Sequence, residues 1–258
     1  MIDQVLSVRA KGHRGQIDVL SRRGLVPRGH SETPVAAVGP ELGTGQVEIS
    51  KILSSLRRQV RAGAEWRAVM DGLRPKTQAM WQQLTQDQRS RFLRHALAWW
   101  NVHRHRIAPQ VHNRFDGLMK DGTVSVHAGF LAGLSRNDAG VALSYRVRGT
   151  KQMATLPFDW LVNCTGMERA GIGHSPLLED MQEKALIATD PLGLGIMVDQ
   201  RSRILRSDGA EQPGLFAIGA LTAGQFWEIT AVPDIRVQTQ KVADEIIVNV
   251  RQKLDQAS

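Results

Sequence analysis

Only one cysteine, Cys164, occurs in the 258 residues of the chain. A single thiol excludes an intramolecular disulfide framework and any zinc or iron–sulfur site built from several cysteines. The apolar runs stay far below the roughly 20 residues that a membrane helix needs. The first residues have neither the basic start nor the apolar stretch of a signal peptide. We therefore expect a soluble, cytoplasmic protein.

Acidic residues are also scarce, but only in one part of the chain. Lysine and arginine number 33 against 25 aspartates and glutamates, which gives a net charge of +8. Residues 1–150 carry a balance of +12, whereas residues 151–258 carry −4. This asymmetry indicates two regions with different roles, and the basic region suits a polyanion or a phosphate-bearing cofactor.

Hydrophobic periodicity predicts a mixture of helices and strands. Ile2 to Arg9 has helix-like spacing, and Gln16 to Leu20 alternates like a short strand. Residues 46–118 are mostly helical in pattern, with arginines on the polar faces, as is typical of solvated helix surfaces. From Thr123 the apolar period changes to two, which predicts strands, and Asn137-Asp138-Ala139-Gly140 predicts a turn between two of them. A helix from Pro176 to Lys184 and a final helix from Pro233 complete the pattern.

Two apolar segments end in a small residue followed by glycine. Asp159 to Cys164 leads into Thr165-Gly166, and Gly214 to Ile218 leads into Gly219-Ala220. We predict a buried strand at each position, with Cys164 as a buried packing residue. A strand that ends in glycine lets the backbone pass close to a dinucleotide at the carboxyl edge of a sheet.

A basic tripeptide, Ser21-Arg22-Arg23, follows the first predicted strand. In a dinucleotide-binding βαβ unit, the end of the second strand meets the adenosine ribose, and arginine there binds a 2′-phosphate. A solvated basic turn is the alternative interpretation. The glycines of residues 1–45 punctuate loops and form no glycine-rich fingerprint between a strand and a helix.

Several segments together resemble one family, the bacterial FAD/NAD(P)-binding proteins. These are flavoproteins with two dinucleotide-binding domains, distantly similar to flavin-dependent monooxygenases. The matching segments span the chain: Ser21 to His30, His103 to Pro109, Asn163 to Gly166, Asp190 to Gly195, and Gly214 to Gln238 with its specific core Phe226 to Arg236.

The resemblance implies cofactor-binding roles at defined positions. Ser21, Arg22 and Arg23 match the strand end that meets the adenosine phosphate of NADP. Thr165 and Gly166 match the strand that crosses back between the two domains. Gly219 and Ala220 match the strand end beside the ribityl chain of FAD, although many flavoproteins have aspartate where Ala220 stands. The following segment, through Thr230 to the helix start at Asp234, would approach the flavin ring.

The resemblance also implies a domain plan. We expect an α/β fold with incomplete Rossmann-like dinucleotide-binding domains and a helical insertion at about residues 44–118. Residues 1–157 would be the remainder of an NAD(P)-binding domain, and residues 158–258 the C-terminal part of an FAD-binding domain. Both glycine loops of the family are missing from the sequence, as if the chain were truncated, so we expect weak or no FAD binding by this chain alone.

The sequence therefore favours the C-terminal part of an FAD-dependent, NAD(P)H-using oxidoreductase with an unknown small-molecule substrate. The alternatives are a basic, non-enzymatic nucleic-acid-binding protein and an inert truncated fragment. Aromatic residues make up only 5% of the chain and no nucleic-acid motif is present, so nucleic acid is the weaker partner prediction. On a helix His103 and His105 would point roughly 200° apart and could not share a metal, whereas on a strand they could. Because no cysteine or carboxylate is near them, we predict no metal site.

Overall fold

The computed structural model describes residues 1–40, 48–137, 140–166 and 171–257. These residues form a mixed α/β fold that divides into two compact units. The first unit holds Met1–Pro40, Leu56–Gly72 and Phe92–Gly166. The second holds the described residues of Glu41–Ser55, Leu73–Arg91 and Met167–Ser258. The start of the predicted insertion (residues 44–47) and two predicted turn residues, Asp138 and Ala139, lie outside the described residues.

A four-stranded sheet organises the first unit in the order β1-β2-β3-β4. The strands are β1 (Ile17–Ser21), β2 (Val124–Asn137), β3 (Gly140–Val147) and β4 (Met153–Phe158). Only β1 and β2 pair in parallel, and the other neighbours are antiparallel. The predicted first strand and the change of period after Thr123 are therefore confirmed.

One face of the parallel strand pair carries the core of the first unit. Helix α1 (Ile2–Ala10) buries its apolar side there, together with helix α7 (Pro109–Lys120). The buried residues of this cluster are Ile2, Val5, Val19, Phe115 and Val124. Alternation places Val19 and Val124 on the same side of their strands as other apolar residues, so a half-buried sheet face results.

The predicted helical region is confirmed between the first two strands. It consists of α2 (Ile49–Arg61), α3 (Trp66–Leu73), α4 (Thr77–Gln83), α5 (Gln86–His95), α6 (Leu97–Arg104) and α7. The second unit contains α8 (Pro176–Glu183), a two-stranded antiparallel sheet of β5 (Arg203–Leu205) and β6 (Glu211–Phe216), and the long helix α9 (Val232–Ala257). Ser175 caps α8 by accepting a hydrogen bond from the Leu178 N–H, which agrees with the predicted helix start.

Of the two predicted buried strands, one is wrong and the other is confirmed only in part. Asp159 to Cys164 forms no strand in the structure: β4 ends at Phe158, Trp160 is 90% exposed, and Cys164 is exposed rather than buried. The apolar run signalled a preference for burial, but burial also requires a neighbouring strand, which the pattern of one segment cannot supply. The second strand begins earlier than predicted, at Glu211, and ends before Ile218, which is 43% exposed.

Candidate functional site

The basic tripeptide lies at the carboxyl end of β1, in the first unit. Ser21 is the last residue of the strand, and its hydroxyl accepts a hydrogen bond of 3.0 Å from the Gly24 N–H. This bond closes the turn, in which Gly24 adopts a φ of +63°. The Ser21 side chain therefore has a local structural partner.

The two arginines of the tripeptide differ in their surroundings. The Arg23 guanidinium donates hydrogen bonds of 3.3 and 3.4 Å to the carbonyls of Arg94 and His95, the last residues of α5. A cation there satisfies carbonyls that have no partner inside the helix and complements its dipole. The Arg22 side chain is exposed, and the main-chain carbonyl of Arg22 accepts a hydrogen bond of 3.1 Å from the Arg148 guanidinium. Arg22 is thus the member of the pair whose guanidinium faces solvent.

Thr165 and Gly166 lie in an exposed turn of the first unit. Both the backbone N–H and the hydroxyl of Thr165 donate to the Asn163 side-chain oxygen, at 3.1 and 2.7 Å. Gly166 has a φ of +88°, and a Cβ added to it would meet no atom within 4 Å. The turn therefore leaves open space beside its glycine.

A buried polar network fixes Gly219 in the second unit. The Gly219 N–H donates to the side-chain oxygen of Gln238 at 2.8 Å, and the Gly219 carbonyl accepts from the Thr222 hydroxyl, also at 2.8 Å. The Gln238 amide donates to Ser202 and Thr222, each at 3.1 Å. Gly219 has a φ of +75°, and the next residue, Ala220, is exposed. The network therefore fixes the first residue of a short 3₁₀ turn, Gly219–Leu221.

The loop from Asp190 to Gly195 packs against the same turn. Gly195 lies so close to the Leu221 carbonyl that only glycine fits, and the Ile196 N–H donates to that carbonyl at 2.8 Å. The Asp190 carboxylate accepts from the backbone N–H groups of Leu192 and Leu194. It also lies against Gly224, where it occupies the space that a Cβ would need. Two separate sequence motifs, residues 190–195 and 219–224, thus form one structural element.

Two side chains from the helical region complete this element. Trp81 on α4 and Arg89 on α5 both donate to the Gly224 carbonyl, at 2.8 and 3.1 Å. The Trp81 ring stacks on Trp227, with centroids 4.5 Å apart and planes 24° apart. Burial lowers the pKa of the Arg89 guanidinium, and the charge of Asp190 opposes that shift. Because an arginine guanidinium stays protonated in proteins, Arg89 contributes a positive charge beside the turn.

A cleft beside the network opens between the turn before β5 and the first part of α9. Phe226, Ile229 and Val237 supply apolar walls. The polar lining is Gln78, Gln200, Arg201, Ser202, Asp234, Gln238, Lys241 and Glu245. Arg201 and Glu245 form an ion pair of 3.2 Å, so charges of both signs meet in the cleft.

The structure distributes the predicted site residues over both units. Ser21, Arg22, Arg23, Thr165 and Gly166 belong to the first unit. Gly219, Ala220 and Thr230 belong to the second, where Thr230 is exposed and its N–H donates to the Glu228 carbonyl at 2.8 Å. Sequence reasoning missed four residues that hold the structural element formed by residues 190–195 and 219–224: Trp81, Arg89, Asp190 and Gln238. Asp190 and Gln238 lay within the quoted motifs, but no signal assigned them a role.

Metal and membrane features are absent from the residues that the structure describes. Across these residues, no group of three or more histidine, cysteine, aspartate or glutamate side chains could hold a metal ion. None of the helices in the described ranges combines the length and apolarity needed to cross a membrane.

Comparison with solved structures finds a protein that is similar to this chain in fold. The crystal structure of L-lysine 6-monooxygenase from Pseudomonas syringae matches it with a TM-score of 0.52 and 14% sequence identity. The match covers 97% of this chain and 57% of that one, so the two proteins are similar in fold.

Sequence comparison gives relatives without an assigned role. No family model matches the chain. Uncharacterized proteins from Mycobacterium bovis and Mycobacterium tuberculosis are each 22% identical to it over 94% of its residues. Because the alignment covers 48% of each relative, the chain spans about half the length of the curated relatives that it matches.

Proposed function

We propose that this chain carries dinucleotide-binding elements of an FAD-dependent oxidoreductase that uses NAD(P)H. The observation that carries the proposal is the fold likeness to a monooxygenase, because it extends over 97% of this chain. In this proposal both parts are Rossmann-like, with residues 1–157 serving the nicotinamide dinucleotide and residues 158–258 serving FAD. The bound cofactors would supply the redox chemistry, with hydride passing from the nicotinamide to the flavin.

On the nicotinamide side, the proposal assigns the phosphate contact to Arg22. Its guanidinium is exposed at the carboxyl end of a parallel strand, which is where dinucleotides approach such sheets. A guanidinium matches the geometry and charge of a phosphate, so the group fits a 2′-phosphate. Ser21 and Arg23 would support this contact by shaping the turn, since both side chains have backbone partners.

On the flavin side, the proposal assigns backbone contacts in the second unit to Gly219, Ala220 and Thr230. The exposure of Ala220 and Thr230 is compatible with a ligand lying against them. In the first unit, the proposal separately assigns a backbone contact with a dinucleotide to Gly166, which has open space beside it and whose turn is shaped by Thr165. Both backbone polar groups of Gly219 have internal partners, so its role would be close approach rather than hydrogen bonding. An alanine side chain cannot bond a ribityl hydroxyl, so at Ala220 only the main chain is suited to contact the ribityl chain.

The nicotinamide assignment is tested by the preference of the chain for NADPH over NADH. We expect Arg22→Ala to weaken NADPH binding roughly tenfold or more, because a charge-assisted bond to phosphate is lost, and to leave NADH binding unchanged. Arg114→Ala, which removes an exposed arginine on α7, is the matched control. Affinities are measured from nucleotide fluorescence at a fixed ionic strength, because salt screens exposed charges.

Two results would contradict this assignment. Equal affinity of the unmodified chain for NADPH and NADH would remove the need for a phosphate-binding arginine. A loss of equal size in Arg114→Ala would attribute the effect to net charge. Arg23→Ala is expected instead to lower the midpoint of thermal unfolding, because its bonds to the end of α5 are lost.

A further inference from the structure

We propose that Gln238 is a positioning residue for the turn Gly219–Leu221, an inference that rests on the function proposed above. Gln238 is only 6% exposed, and its side-chain amide makes three hydrogen bonds. Its oxygen accepts from Gly219, and its nitrogen donates to Ser202 and Thr222. A buried amide with these partners specifies one geometry, because each bond that breaks leaves a buried polar group without a partner.

Gln238 joins two positions of unusual backbone conformation. Gly219 has a φ of +75°, and Ser202, which is 2% exposed, has a φ of +66°. For a residue other than glycine, such a φ is strained and persists only where the surroundings fix it. The hydrogen bond from Gln238 to the Ser202 hydroxyl and the one from Gly219 to Gln238 tie both positions to the same point on α9.

The consequence for the proposed site concerns Ala220. Thr222 holds the Gly219 carbonyl while Gln238 holds its N–H, so both sides of this residue are fixed. Ala220 follows directly and is exposed. Because its side chain has no polar group, only the position of its main chain can determine contact with a ribityl chain. Gln238 would thus control flavin affinity without touching the flavin.

The first measurement needs no ligand. Backbone amide hydrogen exchange of the full chain is compared with that of Gln238→Leu, which keeps the size of the side chain and removes its bonds. We expect exchange at residues 219–222 to become roughly tenfold faster. Met197 and Leu205, whose N–H groups donate to the carbonyls of Ala188 and Met197 in the same unit, should keep their protection. Gln240→Leu is the matched control, because Gln240 is exposed on the same helix and bonds only Asp244 among the described residues.

Two further variants keep the test decisive. Gln238→Glu retains an acceptor for the Gly219 N–H, so protection at Gly219 should be largely restored. If Gln238→Leu does not fold, Thr222→Val removes one hydroxyl from the same network, and exchange at Gly219 should again increase. Unchanged exchange of Gly219 in a folded variant overturns the positioning role.

The second measurement is FAD affinity, followed by quenching of flavin or tryptophan fluorescence. We expect Gln238→Leu to weaken FAD binding roughly tenfold and Gln238→Glu to recover part of that loss, with Gln240→Leu unaffected. Equal FAD affinity in Gln238→Leu and the unmodified chain overturns the inference. If the unmodified chain shows no flavin binding at all, flavin binding by this chain is contradicted, and the exchange result alone decides whether Gln238 positions the turn.

Discussion

Gly195 offers a sharp test of the close packing between the loop of residues 190–195 and the turn of residues 219–224. In Gly195→Ala the new Cβ would lie 2.6 Å from the carbonyl carbon of Leu221 and closer still to its oxygen. Both atoms belong to the main chain, so no side chain can rotate away. The Leu221 carbonyl also accepts the Ile196 N–H, so moving it strains or breaks that bond.

The expected loss of stability in Gly195→Ala has three contributions. Overpacking against a main-chain group costs about 1–3 kcal/mol. Gly195 has a φ of +156°, which adds about 1–3 kcal/mol for alanine. Weakening the Ile196 bond adds about 1 kcal/mol. Relaxation makes these contributions less than additive, so we expect a loss of about 3–5 kcal/mol in the free energy of unfolding.

Gly193→Ala is the control from the same motif. Gly193 has a φ of +65°, but its added Cβ would meet nothing within 4 Å. Only the left-handed conformation is penalised there, at about 1–2 kcal/mol. Urea unfolding followed by tryptophan fluorescence measures both variants, with unchanged slopes as the condition for comparing them. If the two variants lose equal stability within about 0.5 kcal/mol, the close approach to Leu221 is refuted.

Two further pairs of substitutions test contacts made by residues on helices. Gly72→Ala should destabilise the chain although alanine is the better helix former, because the added Cβ would overlap the carbonyl of a loop residue. Gly117→Ala in α7 should instead stabilise the chain by about 0.5–1 kcal/mol, because the added Cβ meets only open space. If urea unfolding shows that both variants change the free energy of unfolding in the same direction, the expected difference between the two glycines is contradicted. Trp81→Phe should abolish the exciton signal of the Trp81–Trp227 stack in circular dichroism, whereas Trp160→Phe, at a 90% exposed position, should leave it unchanged. Persistence of the signal in Trp81→Phe would show that the rings do not stack.

The elements that could be predicted are those whose signal is local. The alternation of Ile17 and Val19 predicted β1, and the local pattern from Pro176 to Lys184 predicted α8. Each of these patterns depends on residues a few positions apart, which is the range over which periodicity and capping act.

The wrong predictions depended on partners distant in the sequence. Trp160, Leu161 and Val162 form an apolar run, yet all three are more than half exposed because no strand pairs with them among the described residues. The role of Gln238 could not be predicted either, since a glutamine on an amphipathic helix gives no signal of a hydrogen bond to a glycine 19 residues earlier. Periodicity indicates which face is apolar, but it cannot indicate what covers that face.

The distribution of arginine contacts changes the meaning of the basic charge. Arg9 is 8% exposed and donates to the carbonyls of His13, Gly15 and Thr123, so its charge stabilises the fold around α1. Arg67 likewise donates to the Gly29 carbonyl at 2.9 Å, and Arg23 to the end of α5. A net balance of +12 in residues 1–150 therefore overstates the charge that is available to a phosphate. This is why the preference for NADPH is expected to depend on Arg22, whose guanidinium faces solvent, rather than on the total charge of the basic region.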